Sequence, residues 1–135
     1  MVNTEIEYQG DLHCKATHGP SGTELSTDAP KDNQGRGESF SPTDLVGTAL
    51  GSCMLTIMGL AARTLNIDIT GATASVEKEM TAAQPRRIKR LNVRIHVPHA
   101  ISAIDQEKLE RAAHTCPVHK SLHPDIEIPI EFTWG

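Results

Sequence analysis

Large aromatic side chains are nearly absent from this sequence: Tyr8, Phe40, Phe132 and Trp134 are the only ones in 135 residues. A core must therefore come from Leu, Ile, Val, Met and Ala, and burial across a subunit interface would supplement it. Excess positive charge is missing too, since the formal net charge is −4. That argues against nonspecific binding to nucleic acid or anionic lipid, which needs a clustered positive surface. The opening Met1-Val-Asn-Thr-Glu-Ile-Glu lacks the basic and apolar regions of a signal peptide. The most apolar stretch, Leu45 to Ala62, is interrupted by Thr48, Ser52, Thr56 and glycines, and its flanks do not extend it to a membrane span. We expect a cytoplasmic chain with neither membrane nor nucleic acid as partner. Cysteine is sparse and odd in number, three in all. In a reducing compartment that argues against a disulfide scaffold and leaves catalysis, metal binding or no role.

What is present reads as one α+β domain over residues 1–135. Leu12, Cys14 and Ala16 alternate with polar neighbours, a half-buried strand. Gly19-Pro20-Ser21-Gly22 predicts a hairpin turn, with Thr23 to Thr27 returning. Ala29 to Ser39 is a polar loop that is exposed or lines a site. Ser41 as N-cap, Pro42 at the first helical position and Asp44 two places later predict a capped helix running to about Arg63. Gly47, Gly51 and Gly59 cost that helix about 1 kcal/mol each relative to alanine. Such a stripe implies close approach of another backbone, either a partner helix or the chain's own sheet. Strands follow at Ala72 to Met80 and Ile88 to Val97, then a helix capped by Ser102 with Leu109, Ala112 and Ala113 inward. Ile126 to Trp134 closes as a strand, with Pro129 either placing it at an edge or facing its missing N–H away from pairing.

Two cysteines carry the chemistry. Cys53 lies inside the apolar helix, and Cys116 opens Cys116-Pro-Val-His-Lys-Ser, where Pro117 breaks a helix or begins a new one. The thiolate is the nucleophile, and helix starts and nearby cations favour it. The pair suggests thiol redox chemistry. Cys14, on an apolar strand face, reads as core. Cys116, His119 and His123 have half the spacing of a zinc site, but Pro117 and Pro124 interrupt it, so neither metal nor cofactor is expected. Arg86, Arg87, Lys89 and Arg90 read as a solvated hairpin face.

With these elements placed, the chain resembles the OsmC/Ohr family, the osmotically inducible and organic-hydroperoxide-resistance proteins. The resemblance rests on Ser41-Pro-Thr-Asp-Leu45 ahead of Cys53, the small-residue helix around that cysteine, and Cys116-Pro117-Val118. Glu77-Lys-Glu-Met80 through Pro85-Arg-Arg-Ile88 looks like the central hairpin of an OsmC-like subgroup. The resemblance implies an intertwined homodimer with long central helices and active sites at the interface. It also implies a thiol peroxidase in oxidative-stress defence, in which the first cysteine attacks the peroxide and the second resolves it. Peroxide is then the substrate, and a dithiol such as a lipoyl protein or small thiol the reductant. An arginine and a glutamate hold the thiolate in the family, and Arg36 and Asp44 are the candidates here. The glutamate position itself falls on Thr43, which favours a second reading: a catalytically weak dimer binding a small apolar ligand at its interface.

Distance limits these assignments. Cys53 is eleven residues beyond Pro42, about 16 Å, and the macrodipole fades within a turn, so a cation such as Arg36 must stabilise its thiolate. Asp44 lies about 13 Å from Cys53 along the axis and on the opposite face. An acid orienting the arginine there is expected from an antiparallel partner helix. Cys116 can resolve Cys53 only if folding brings their Cα atoms within about 7 Å, and His119 is placed to raise its thiolate fraction.

Overall fold

Tight turns make the N-terminal sheet. Gly10, Asp11 and Leu12 take φ of 85°, 53° and 59° between β1 (Thr4–Tyr8) and β2 (His13–His18). Leu12, expected on the strand, therefore sits in a left-handed turn, a conformation that costs a branched side chain. Gly22, with φ 74°, closes the next turn into β3 (Glu24–Asp28). The three strands are antiparallel in the order β1-β2-β3, and Ile6, Ala16 and Leu25 pair across them, as do Tyr8, Cys14 and Thr27. Period-two geometry puts both rows on one face.

After β3 the loop holds a single 3-10 turn, Lys31–Asn33, before α1 (Pro42–Thr64) begins. The capping box forms as the sequence predicts. Ser41 Oγ accepts from Asp44 N–H at 3.1 Å, and Asp44 Oδ2 accepts from Ser41 N–H at 2.9 Å. The structure, a computed structural model, describes residues 1–135 and resolves into two compact units, Met1–Val46 and Gly47–Gly135.

The second unit is built on α1 from Gly47 onward. Leu50, Met54, Met58 and Ala62 recur every fourth residue and are buried, the spacing of one helical face. A Cβ on Gly47 would lie 3.3 Å from Val76 Cγ1, and one on Gly51 3.1 Å from Val76 Cγ2. Those two glycines therefore admit the chain's own sheet, deciding between the two expectations, while a Cβ on Gly59 would meet nothing within 4 Å. The sheet has order β4-β5-β6, formed by β4 (Thr73–Met80), β5 (Ile88–Val97) and β6 (Ile130–Trp134). β4 is antiparallel to β5, and β6 is parallel to it at the edge, as Pro129 anticipates. Leu91, Val93, Ile95 and Val97 of β5 are buried, together with Leu109 and Ala113 of α2 (Ala103–Ala113). Arg94 bridges Glu77 and Glu131, and Arg90 bridges Glu79 and Glu127, so these cations belong to cross-strand ion ladders.

α1 is, by length and composition alone, long and apolar enough to cross a membrane, with a mean hydropathy of 1.8 over its most apolar window. Threonines and glycines do not shorten it, because helical hydrogen bonding continues through them. Its four-residue row of Leu50, Met54, Met58 and Ala62 is nevertheless core of the second unit.

Candidate active site

Pro117 at the first helical position ends the chain's run from α2 and starts the short helix α3 (Pro117–Ser121). Cys116 is thereby its N-cap, with Sγ accepting from His119 N–H at 3.3 Å. The Cys116 side chain is fully buried, whereas Cys53, within α1, is half-buried. Both thiols are free, and they are neighbours: the Cys53 side chain acts directly on the Cys116 thiol. Folding has joined two groups that are distant in sequence.

Burial pushes the Cys116 thiol above its ordinary range. The side chain of Cys53 and its charge push it the same way, while the N–H groups of His119 and Val118 pull it down. Cys116 is therefore a protonated thiol at neutral pH, poised against Cys53. His119 acts on it through its backbone N–H. The His119 imidazole is itself driven toward its neutral form, first by burial and then by the charges of His114 and Lys120. It thus supplies less positive charge to the sulfur than the sequence suggests. His114 stands edge-on to His119 at 6.3 Å and tilted to Phe132 at 6.2 Å. His123 accepts from Asp125 N–H, and no group of three or more His, Cys, Asp or Glu is placed to hold a metal ion.

In the first unit, Arg36 lies in the loop before α1, half exposed, with Nη2 3.8 Å from Asp28 Oδ1. An acid of its own unit, Asp28, thus stands beside the arginine. Asp28 ends β3, one residue beyond the strand that the sequence predicts. Asp44 serves the helix start through Ser41, as the capping box requires. His13 Nδ1 is 2.6 Å from the same Asp28 oxygen. Asp28 is almost completely buried, and its pKa is lowered first by the His13 hydrogen bond, with the charges of His13 and Arg36 adding. Neither His13 nor Asp28 was singled out from sequence. A hairpin centred on Pro20-Ser21 would have set them opposite each other, as the register does. Cys14 pairs between Tyr8 and Thr27 on the β-sheet face, half-buried.

A family model described as OsmC-like protein matches residues 35–131. The chain belongs to the OsmC-like family. A crystal structure from Psychrobacter arcticus, of a proposed osmotic-stress-induced and detoxification-response protein, is 48% identical with a TM-score of 0.93, covering 98% of this chain and 96% of that one. An organic hydroperoxide resistance protein from Elizabethkingia anophelis is 14% identical with a TM-score of 0.80, over 100% and 96% of the two chains. An OsmC-like protein from Mycoplasma pneumoniae is 16% identical with a TM-score of 0.83, over 99% and 96%. At these low identities the likeness speaks for the fold. No curated protein matches the chain. The OsmC-like match takes in Arg36, Asp44, Cys53 and Cys116, and leaves His13 and Asp28 outside it.

Proposed function

We propose that this OsmC-like chain is a cysteine-based peroxidase of oxidative-stress defence, acting in the cytoplasm as a homodimer. The observation that carries the reading is the neighbouring pair of free thiols, one half-buried and one buried. The Cys53 thiolate attacks the O–O bond, forming an S–O bond and expelling an alkoxide that leaves as the alcohol after protonation (or water, from hydrogen peroxide). The Cys116 thiol then condenses with the Cys53 sulfenic acid, giving a disulfide and water. A dithiol reductant returns both sulfurs to thiols and leaves as its own disulfide. Cys116, kept protonated by burial, is the poorer nucleophile for the first step, and its proton leaves with the water of the second. Arg36 is assigned the positive charge that favours the Cys53 thiolate, and Asp44 the family's acidic position. The name organic hydroperoxide resistance protein, borne by the Elizabethkingia relative in fold, supports peroxide as the substrate class.

The roles are separable by substitution. Cys53→Ser should abolish peroxide consumption, whereas Cys116→Ser should perform one turnover and stop at sulfenic acid or mixed disulfide. A sulfenic-acid reagent should trap its adduct on Cys53. An adduct on Cys116 and never on Cys53 would reverse the assignment. Three titratable thiols persisting after peroxide would favour the ligand-binding dimer that Thr43, at the glutamate position, suggests.

A further inference from the structure

The loop between β3 and α1 is closed by its own backbone. Asp28 N–H donates to Phe40 O at 3.0 Å, Gly37 N–H to Ala29 O at 3.2 Å, and Gly35 N–H to Pro30 O at 2.9 Å. A Cβ on Gly35 would lie 1.7 Å from Ala29 O, so only glycine lets the two limbs meet there. Gly37, with φ 62°, turns the chain just after Arg36. The segment is a compact loop whose ends are pinned together, and Arg36 rides on it.

Beneath it lies the Asp28 carboxylate, with 2% of the residue exposed. A carboxylate so buried is costly unless its lone pairs are used. His13 Nδ1 takes one oxygen at 2.6 Å, and the Glu38 backbone, on the loop's far limb, also favours the ionised group. The Arg36 guanidinium stands 3.8 Å from the oxygen that His13 holds. That separation attracts by charge without consuming an N–H donor. A guanidinium has five such donors, so Arg36 is oriented by Asp28 while keeping them for a second anion. An exposed ion pair formed for stability alone would contribute little and would not call for a buried acid braced from behind by histidine.

We propose that Asp28, braced by His13, is the positioning residue that holds Arg36 in its working orientation. The inference rests on the reading that Arg36 favours the Cys53 thiolate. His13 fixes the carboxylate rotamer, Asp28 fixes the guanidinium, and Gly35 and Gly37 let the loop close over both.

The test combines single-turnover peroxide kinetics with the Arg36 side-chain N–H signal in nitrogen-15 NMR. The variants are Arg36→Ala, Asp28→Asn, His13→Ala, His13→Asn and the Asp28→Asn/Arg36→Ala double. Asp28→Asn should slow oxidation of Cys53 roughly tenfold in the wild-type background and add nothing once Arg36 is gone, the signature of coupled neighbours. His13→Ala should slow it less, and His13→Asn, which retains a donor near the Nδ1 position, should restore most of the rate. The Arg36 resonance should broaden or shift toward that of a free arginine in Asp28→Asn and His13→Ala. Should Asp28→Asn fail to fold, the two His13 variants carry the same comparison. An unchanged Arg36 signal in the variants, or equal slowing with and without Arg36, would overturn the proposal. An Arg36→Ala enzyme as fast as wild type would instead overturn the role given to Arg36, while the NMR signal would still report whether Asp28 holds it.

Discussion

At the residue scale, ionisation and burial divide the chemistry between the two sulfurs. Cys116 is buried and N-caps α3, so its burial raises its pKa while backbone donors oppose the rise. Asp28 shows the opposite balance: its partners outweigh the cost of burial and lower its pKa from the ordinary 3.8. A carboxylate whose folded pKa is depressed stabilises the fold above its unfolded pKa. That stabilisation is lost as pH falls through the lower folded value. Asp28→Asn should therefore be less stable than wild type at neutral pH, with the gap narrowing under acid. Thermal unfolding of both proteins from about pH 6 to about pH 3 measures this. A gap that stays constant across that range would show that the ionised carboxylate is not what stabilises the loop.

At the scale of elements, the glycines of α1 show where a sequence pattern stops short. Their spacing requires something close by, and helical periodicity cannot say whether that is a partner helix or the chain's own sheet. Coordinates decide it for Gly47 and Gly51, which face Val76. Gly51→Leu should consequently destabilise helix-on-sheet packing by about 1–3 kcal/mol, the usual cost of overpacking. The melting temperature should fall while sedimentation of the variant still gives a dimer at low micromolar concentration. A Gly51→Leu variant that dissociated there would put Gly51 at an interface instead. The legible elements were those with chemical punctuation: the Ser41 capping box, the Ser102 cap, Pro117 after Cys116, and the alternation of Ile88 to Val97. The Asp28–His13 pair was not legible, because it depends on strand register and a strand end, which local composition specifies weakly. The meeting of Cys53 with Cys116 likewise needs tertiary folding, and only the family resemblance anticipated it.

At the scale of the whole molecule, the scarcity of aromatics and the exposed apolar residues point the same way. Ile6, Tyr8 and Leu25 share one face of the N-terminal sheet and remain exposed, as do Phe40 and Leu60. Apolar surface gathered on one sheet face is the mark of an interaction surface. A homodimer of this OsmC-like chain would cover it, and we expect no stable folded monomer. Sedimentation at low micromolar concentration should give a dimer, and Ile6→Asp or Tyr8→Asp should weaken it. A compact, cooperatively melting monomer would contradict the shared assembly. The central claim, that Cys53 and Cys116 form one redox centre, is tested most directly by adding stoichiometric peroxide, counting thiols and mapping the disulfide by mass spectrometry. The account predicts loss of two thiols per chain and a Cys53–Cys116 bond within one chain. A full complement of thiols, or a disulfide through Cys14, would contradict it.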